Sequence, residues 1–190
     1  NTGQAYAAAA FETWGAGAAT VNPYLGRDSI EPFTTYADRG VFVLCHTSNP
    51  GATDLQMLDC AGRPLFEQVA RLAAQLNTAG NVGLVVGATY PERLRAVRAI
   101  MPDAWILLPG VGAQGGDLEA SLAAGLRADG LGLIINSSRG IIFASDPRAA
   151  TAKLRDEINA GRRSLPAEEV ALGLFDAGCV RFGEFTLKSG

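Results

Sequence analysis

Trp105-Ile106-Leu107-Leu108-Pro109-Gly110-Val111-Gly112-Ala113-Gln114-Gly115-Gly116-Asp117-Leu118-Glu119 passes from an apolar run, through a turn made largely of glycine, to a helix start. The run suits a strand buried on both faces and is too short for a core helix. Asp117 ahead of Leu118-Glu119 has the pattern of an N-cap. The stretch therefore reads as strand, loop, helix, and the arrangement recurs on either side. Strands are predicted at 18–22, 41–46, 83–86, 105–108 and 131–135. Between them Ser29 is positioned to cap a following helix, and Thr89-Tyr90-Pro91-Glu92 has capping-box spacing with proline in the first turn. Leu65, Val69, Leu72 and Leu76 recur at helical spacing, and Asp146-Pro147 opens a helix predicted to run to about Ala160. Tyr6, Phe11 and Trp14, on an alanine-rich helix, are expected to face the core.

Five consecutive strand–helix units predict an α/β fold with a parallel sheet. A doubly wound sheet and a (β/α)₈ barrel both satisfy that pattern. The polar or glycine-rich signatures after nearly every strand favour the barrel: Asn22-Pro23-Tyr24, Thr47-Ser48-Asn49-Pro50-Gly51, Gly87-Ala88-Thr89, the Pro109 loop, and Ser137-Ser138-Arg139-Gly140. A barrel sets all such loops around one rim, whereas a doubly wound sheet uses only its switch point. The expectation is a partial TIM barrel of about strands 4–8. It is short by on the order of 90 residues against ~250 for a whole barrel, with the missing part before Asn1.

Composition bounds the function. The 190 residues are 48% hydrophobic and 18% charged, which excludes intrinsic disorder. Sixteen basic and 19 acidic residues give a net charge of −3 with no Lys/Arg run, against a nucleic-acid partner. Apolar stretches break before the roughly 18 residues of a membrane helix. Three cysteines (Cys45, Cys60, Cys179) without a CxxC pair, beside one histidine, predict no metal site and a reduced, cytoplasmic setting. The chain begins at Asn1 without a secretory pattern and reads as cut from a longer protein. After Gly161 a linker is expected at 161–166, and 167–190 reads as the opening of a second domain.

Four glycines within seven residues, Gly110 to Gly116, let backbone N–H groups approach an anion, with Gln114 the side chain able to donate to a phosphate. A tight turn needing positive φ explains the same glycines. Arg139 follows one unit later, so in a barrel its loop adjoins the glycine loop, where barrels commonly hold phosphate. Ser48 reads either as a donor to a polar ring edge or as part of a turn, and Asn22 as a loop-positioning residue. His46, with no evident carboxylate partner, reads as a packing residue; Asp28, Asp54 and Asp117 read as caps or solvated charges. No lysine occurs before Lys153, so this rim offers no Schiff-base or ammonium-acid candidate. Another phosphate-binding barrel enzyme, an isomerase or aldolase, or a non-catalytic phosphate-binding fragment, are the competing readings.

Val21-Asn22-Pro23-Tyr24-Leu25-Gly26, Thr47-Ser48-Asn49-Pro50-Gly51-Ala52, Val86-Gly87-Ala88-Thr89, the Pro109 loop and Asn136-Ser137-Ser138-Arg139-Gly140-Ile141, in that order, make residues 1–160 resemble orotidine 5′-phosphate decarboxylases of the bacterial long-loop subgroup. The resemblance implies a (β/α)₈ barrel that pairs as a homodimer, a small nucleotide substrate (orotidine 5′-phosphate, giving UMP) and no cofactor. It implies that Gln114 and Arg139 hold the phosphate, Ser48 the pyrimidine edge, and Pro109 the ring pocket. Thr2 corresponds to the threonine ending the family's Asp-Ile-x-x-Thr string, which reaches the neighbouring subunit's site. The family's catalytic Asp-x-Lys-x-x-Asp array directly precedes that string, so this chain begins after it and contains no catalytic residue of the family. Residues 167–190 resemble the start of an orotate phosphoribosyltransferase, which implies a fused parent performing the last two steps of UMP synthesis.

Overall fold

Each apolar run forms a strand and pairs with its sequence neighbours. In the computed structural model, which describes residues 2–112 and 116–163, β1 (Ala18–Val21), β2 (Gly40–His46), β3 (Val82–Val86), β4 (Ile106–Pro109) and β5 (Leu133–Asn136) form one parallel sheet in the order β1-β2-β3-β4-β5. Gln114, Cys179 and the expected second-domain start at 167–190 lie outside the described residues. Parallel strands in sequence order make every crossover turn the same way, which sets the helices on one face. Among the described strands there is no switch point, an order that matches barrel-type winding rather than a doubly wound sheet.

Register shows which side chains face the helices. Val43, Leu84, Ile106 and Leu133 align across β2 to β5 on one face, and Leu44, Val85, Leu107 and Ile134 on the other. On the first face Val43, Leu84 and Ile106 are fully buried; on the second, Leu44 and Leu107 are half-buried and Ile134 is exposed. Burial on both faces was expected of every strand, but only β3 is buried at all positions. The other strands alternate because, among the described residues, helices cover only one face.

The helices that cover that face are α2 (Arg27–Thr34), α4 (Leu65–Leu76), α5 (Pro91–Ile100) and α6 (Leu118–Gly125), preceded by α1 (Thr2–Ala8) with a π-helical turn (Ala9–Thr13). The short α3 (Ala52–Leu55) and α7 (Arg139–Ile142) follow β2 and β5, and α8 (Pro147–Arg163) packs on α6. Several starts differ from expectation. α2 begins at Arg27, two residues ahead of Ser29, whose hydroxyl donates to the Gly26 carbonyl at 2.6 Å. The Thr89–Glu92 box does not form: Tyr90 is the N-cap and the Thr89 hydroxyl is buried without a hydrogen-bond partner, though Pro91 does sit at N1. Asp117 and Asp146 do cap, accepting from the amides of Ala120 at 3.1 Å and Ala149 at 2.9 Å. α8 runs on to Arg163, past the expected end at Ala160.

Of the expected Leu65-Val69-Leu72-Leu76 face of α4, Leu76 is buried and Val69 and Leu72 pack half-buried against the core. The fully buried stripe also takes in Phe66, Ala70 and Ala73, where the helix lies against β2 and β3. Phe11 is buried against Phe33 and Tyr36, whereas Tyr6 (66% exposed) and Trp14 (78%) correct the expectation that all three face the core. The π-helical turn between Tyr6 and Trp14 breaks the helical period that predicted a common face.

Two half-buried cationic contacts tie the layers together. Arg98 on α5 donates to five carbonyls: Nε to Gly125 (2.9 Å), Nη1 to Met101 (3.2 Å), Pro102 (3.0 Å) and Ala104 (2.7 Å), and Nη2 to Gly132 (3.0 Å). It thereby satisfies carbonyls at the C-terminal ends of α5 and α6, which an α-helix leaves unpaired. Burial, reinforced by nearby Arg127, pushes its guanidinium down to about 10, still charged at neutral pH. A register shift between Leu44 and His46 turns both Cys45 and His46 into the helix layer. Cys45 donates from Sγ to the Phe66 carbonyl at 3.2 Å, and burial pushes its thiol up to about 12, so it is an inert core residue. His46 packs edge-on to Phe66 and Tyr90, and its Nε2 lies 2.7 Å from Arg93 Nη1. An arginine can only donate, so His46 Nε2 accepts and the imidazole is neutral with its proton on Nδ1. Burial first, then the Arg93 charge, pushes the ring down to about 4, against a weaker upward pull from Glu92.

Arg98→Ala strands several carbonyls in the interior and is expected to cost about 3 kcal/mol in chemical denaturation, with Arg98→Lys recovering less than half because it lacks the planar fork. For His46, the unfolded ring binds a proton from about pH 6.5 downward that the native ring refuses until about pH 4, so its stabilisation is complete above 6.5 and lost through that window on acidification. The drop attributable to it at pH 5 is about 2 kcal/mol, and His46→Gln should flatten the stability-against-pH curve there. An unchanged slope in that variant contradicts the neutral, buried assignment.

Candidate functional site

The strand ends converge on a set of loops locked backbone to backbone. Pro109 closes β4 opposite Asn136 at the end of β5. Pro109, Gly110 and Val111 line one cavity of about 90 Å³ with Asn136, Ser137, Ser138 and Arg139. The expectation that the glycine loop and the Arg139 loop are neighbours is met. Arg139 is exposed, opens α7, and is paired with no carboxylate among the described residues. Gln114 lies outside those residues, so its convergence with Arg139 is taken up below.

The glycine loop shows the tight turn weighed for it. Gly110 and Gly112 take φ of 97° and 74°, the turn conformation that favours glycine. The loop then closes on itself: Gly116 N donates to Gly110 O at 3.3 Å and Gly112 N to Gly116 O at 3.1 Å. A Cβ on Gly116 would stand 2.7 Å from both Gly110 O and the Ala88 Cβ, so the loop seats directly on the end of β3. Ala88 in turn donates its amide to Pro109 O at 2.9 Å and accepts from the buried Ser121 hydroxyl at 3.4 Å.

The β2 end joins the same rim. Gly87 N donates to His46 O at 2.8 Å, and a Cβ at Gly87 would meet Ser48 N at 2.7 Å and Ser48 Cβ at 2.8 Å. Half-buried Ser48 is thus pressed against the end of β3, one strand from Pro109. Gln56 holds the preceding residue from both sides, accepting from Thr47 N and donating to Thr47 Oγ1, each at 2.9 Å. Asn22 accepts from Tyr24 N at 2.9 Å, the loop-positioning role expected of it. Thr2, exposed at the start of α1, does not line the Pro109–Arg139 cavity.

Ser48, Pro109 and Arg139 therefore follow one another along neighbouring strand ends, while Thr2 stands apart. Sequence reasoning missed Arg93, Gln56 and Ser121, which reach the rim from helices or loops 47, 9 and 33 positions distant from their partners. No local spacing signals such contacts. Chemically the described rim offers a fixed cation, close-approach backbone and a hydroxyl, which suits binding an anion and a polar edge. Its one histidine is buried and neutral. Among the described residues no group of His, Cys, Asp and Glu could hold a metal, and no helix is long and apolar enough to cross a membrane.

Comparison with known proteins agrees with this geometry. The chain is 53% identical over 170 residues to an orotidine 5′-phosphate decarboxylase of Azoarcus sp. (strain BH72), covering 85% of this chain and 63% of that relative; it thus spans under two thirds of the curated relative's length. Among solved structures, Leishmania donovani OMP decarboxylase superposes with a TM-score of 0.81 at 53% identity, over 86% of this chain and 64% of the other. Leishmania donovani UMP synthase superposes with a TM-score of 0.84 at 56% identity, over all of this chain and 43% of the other. The model of the orotidine 5′-phosphate decarboxylase / HUMPS family matches residues 1–154, which takes in every strand, the glycine loop and Arg139, and the chain belongs to that family.

Proposed function

We propose that this chain supplies the nucleotide-gripping part of an enzyme that decarboxylates orotidine 5′-phosphate to UMP. The observation that carries the reading is the single cavity lined by both the Pro109 loop and Arg139. In this reading Arg139 holds the phosphate together with Gln114, which lies outside the described residues, Pro109 lines the ring pocket, and Ser48, outside that cavity, meets the pyrimidine edge. No Asp-x-Lys-x-x-Asp array occurs in this sequence, so this segment, read as about strands 4–8 of the barrel, supplies binding rather than the decarboxylating step. Downstream, 161–166 links it to the start of an orotate phosphoribosyltransferase at 167–190; the likeness to a UMP synthase over the whole chain supports that fusion. Thr2 reaches the site of a second copy in a cytoplasmic homodimer, a reading supported by exposed Tyr6 and Trp14 on the same segment.

The physics explains why so much of the rim serves an anion. Loss of CO₂ leaves an electron pair on the ring carbon, and the chemistry calls on no cofactor to absorb it. Binding energy from a remote dianion is then available to stabilise the transition state rather than the ground state. Arginine suits that role because its charge is permanent and its fork matches phosphate oxygens.

In the full-length protein Arg139→Ala is expected to lower kcat/KM for orotidine 5′-phosphate by the equivalent of about 2–3 kcal/mol, ~30- to 150-fold. Ser29→Ala, whose hydroxyl only braces the Gly26 turn, should stay within about threefold. Steady-state kinetics on the two variants decides: equal rates for Arg139→Ala and the parent remove Arg139 from the phosphate site.

A further inference from the structure

We propose that His46 and Arg93 form a positioning clamp that sets Ser48 against the base of the nucleotide from behind the sheet. This rests on the nucleotide reading above and extends it to residues that touch no substrate. The register shift between Leu44 and His46 places two successive side chains, Cys45 and His46, in the helix layer, where strict alternation would send one of them to the other face. Bulges of this kind re-aim the residues that follow them. Here those residues are Thr47 and Ser48.

The clamp holds the bulge from three sides. Arg93 lies over the Tyr90 ring at 3.8 Å and donates to His46 Nε2 at 2.7 Å, so the guanidinium is fixed by stacking as well as by hydrogen bonding. Phe66 of α4 meets the imidazole edge-on at 5.2 Å. On the strand, the His46 carbonyl accepts from Gly87 N at 2.8 Å, and Gly87 is the residue against which Ser48 is pressed. A shift of the imidazole therefore moves Ser48 through two backbone steps. The phosphate end is tied differently, through Ala88, Gly116 and Pro109, with no contribution from His46. The clamp acts on one end of the ligand only.

The test uses the full-length protein with His46→Leu, which removes the acceptor, and His46→Gln, which keeps one. Hydrogen exchange of the ligand-free protein is the first readout. The amides of Thr47 and Gly87 should exchange on the order of tenfold faster in the Leu variant, with those of Gly112 and Gly116 unchanged and the Gln variant restored. Competitive inhibition is the second. UMP should bind on the order of tenfold more weakly to His46→Leu while ribose 5-phosphate stays within about twofold. Exchange that is unchanged, or that rises across the whole domain equally in both variants, overturns the clamp. Equal weakening of UMP and ribose 5-phosphate overturns its action at the base. Failure of the unmodified protein to bind UMP instead sinks the nucleotide reading, and the exchange data still judge the clamp.

Discussion

The ends of β2, β3 and β4 lie closer together than side chains permit, and the rim follows from that contact. At Gly87 a single methyl group would collide with the Ser48 backbone; at Gly116 it would collide with Ala88 and the Gly110 carbonyl. With hydrogen in those places, the amides of Gly87 and Ala88 can reach the carbonyls of His46 and Pro109. Three loops from three strands are thereby joined by backbone contacts. A rim assembled in this way needs no flexible side chain to bridge its parts, so ordering it costs little conformational entropy beyond that of the fold.

Behind the rim, several of the more enclosed polar groups serve more than one element. The Arg98 guanidinium gathers carbonyls from the ends of two helices and the start of a strand, which an apolar residue of the same size would leave unpaired. Asn81 does the same for the loop after α2, donating to the carbonyls of Tyr36 at 3.0 Å and Arg39 at 3.1 Å. Together with His46 and Arg93, these contacts fix how the helices sit on the sheet. Hydrophobic burial alone would tolerate several such placements.

How much of this was legible in the chain depends on the range of the interaction. The strands were readable because a parallel strand needs a short apolar run and nothing else; their ends fall within two residues of expectation. The caps at Asp117 and Asp146 were readable because donor and acceptor lie three residues apart. The α4 face was legible in part: Leu76 is buried and Val69 and Leu72 edge the core, but leucines advertise hydrophobicity while Phe66, Ala70 and Ala73 make up the rest of the buried stripe. Tyr6 and Trp14 were assigned inward on a regular helical period that the π-helical turn interrupts. At the candidate site, Ser48 and Arg139 were legible because each lies just past a strand end, whereas Pro109 was named only through the family resemblance. Arg93 was not legible, because its meaning depends on His46, which is 47 residues away and carries no local mark of its partner.

The strand order has a bearing on how the chain is made. Each strand hydrogen-bonds to the one synthesised just before it, so every new strand–helix unit leaving the ribosome meets a finished edge waiting to receive it. Translation at about 5–20 residues per second is slow beside the closure of such short-range contacts, and the sheet can grow from its first strand toward its last in the order of the codons. Among the described residues, the face bearing Leu44, Leu107 and Ile134 is the less covered of the two as the sheet is laid down.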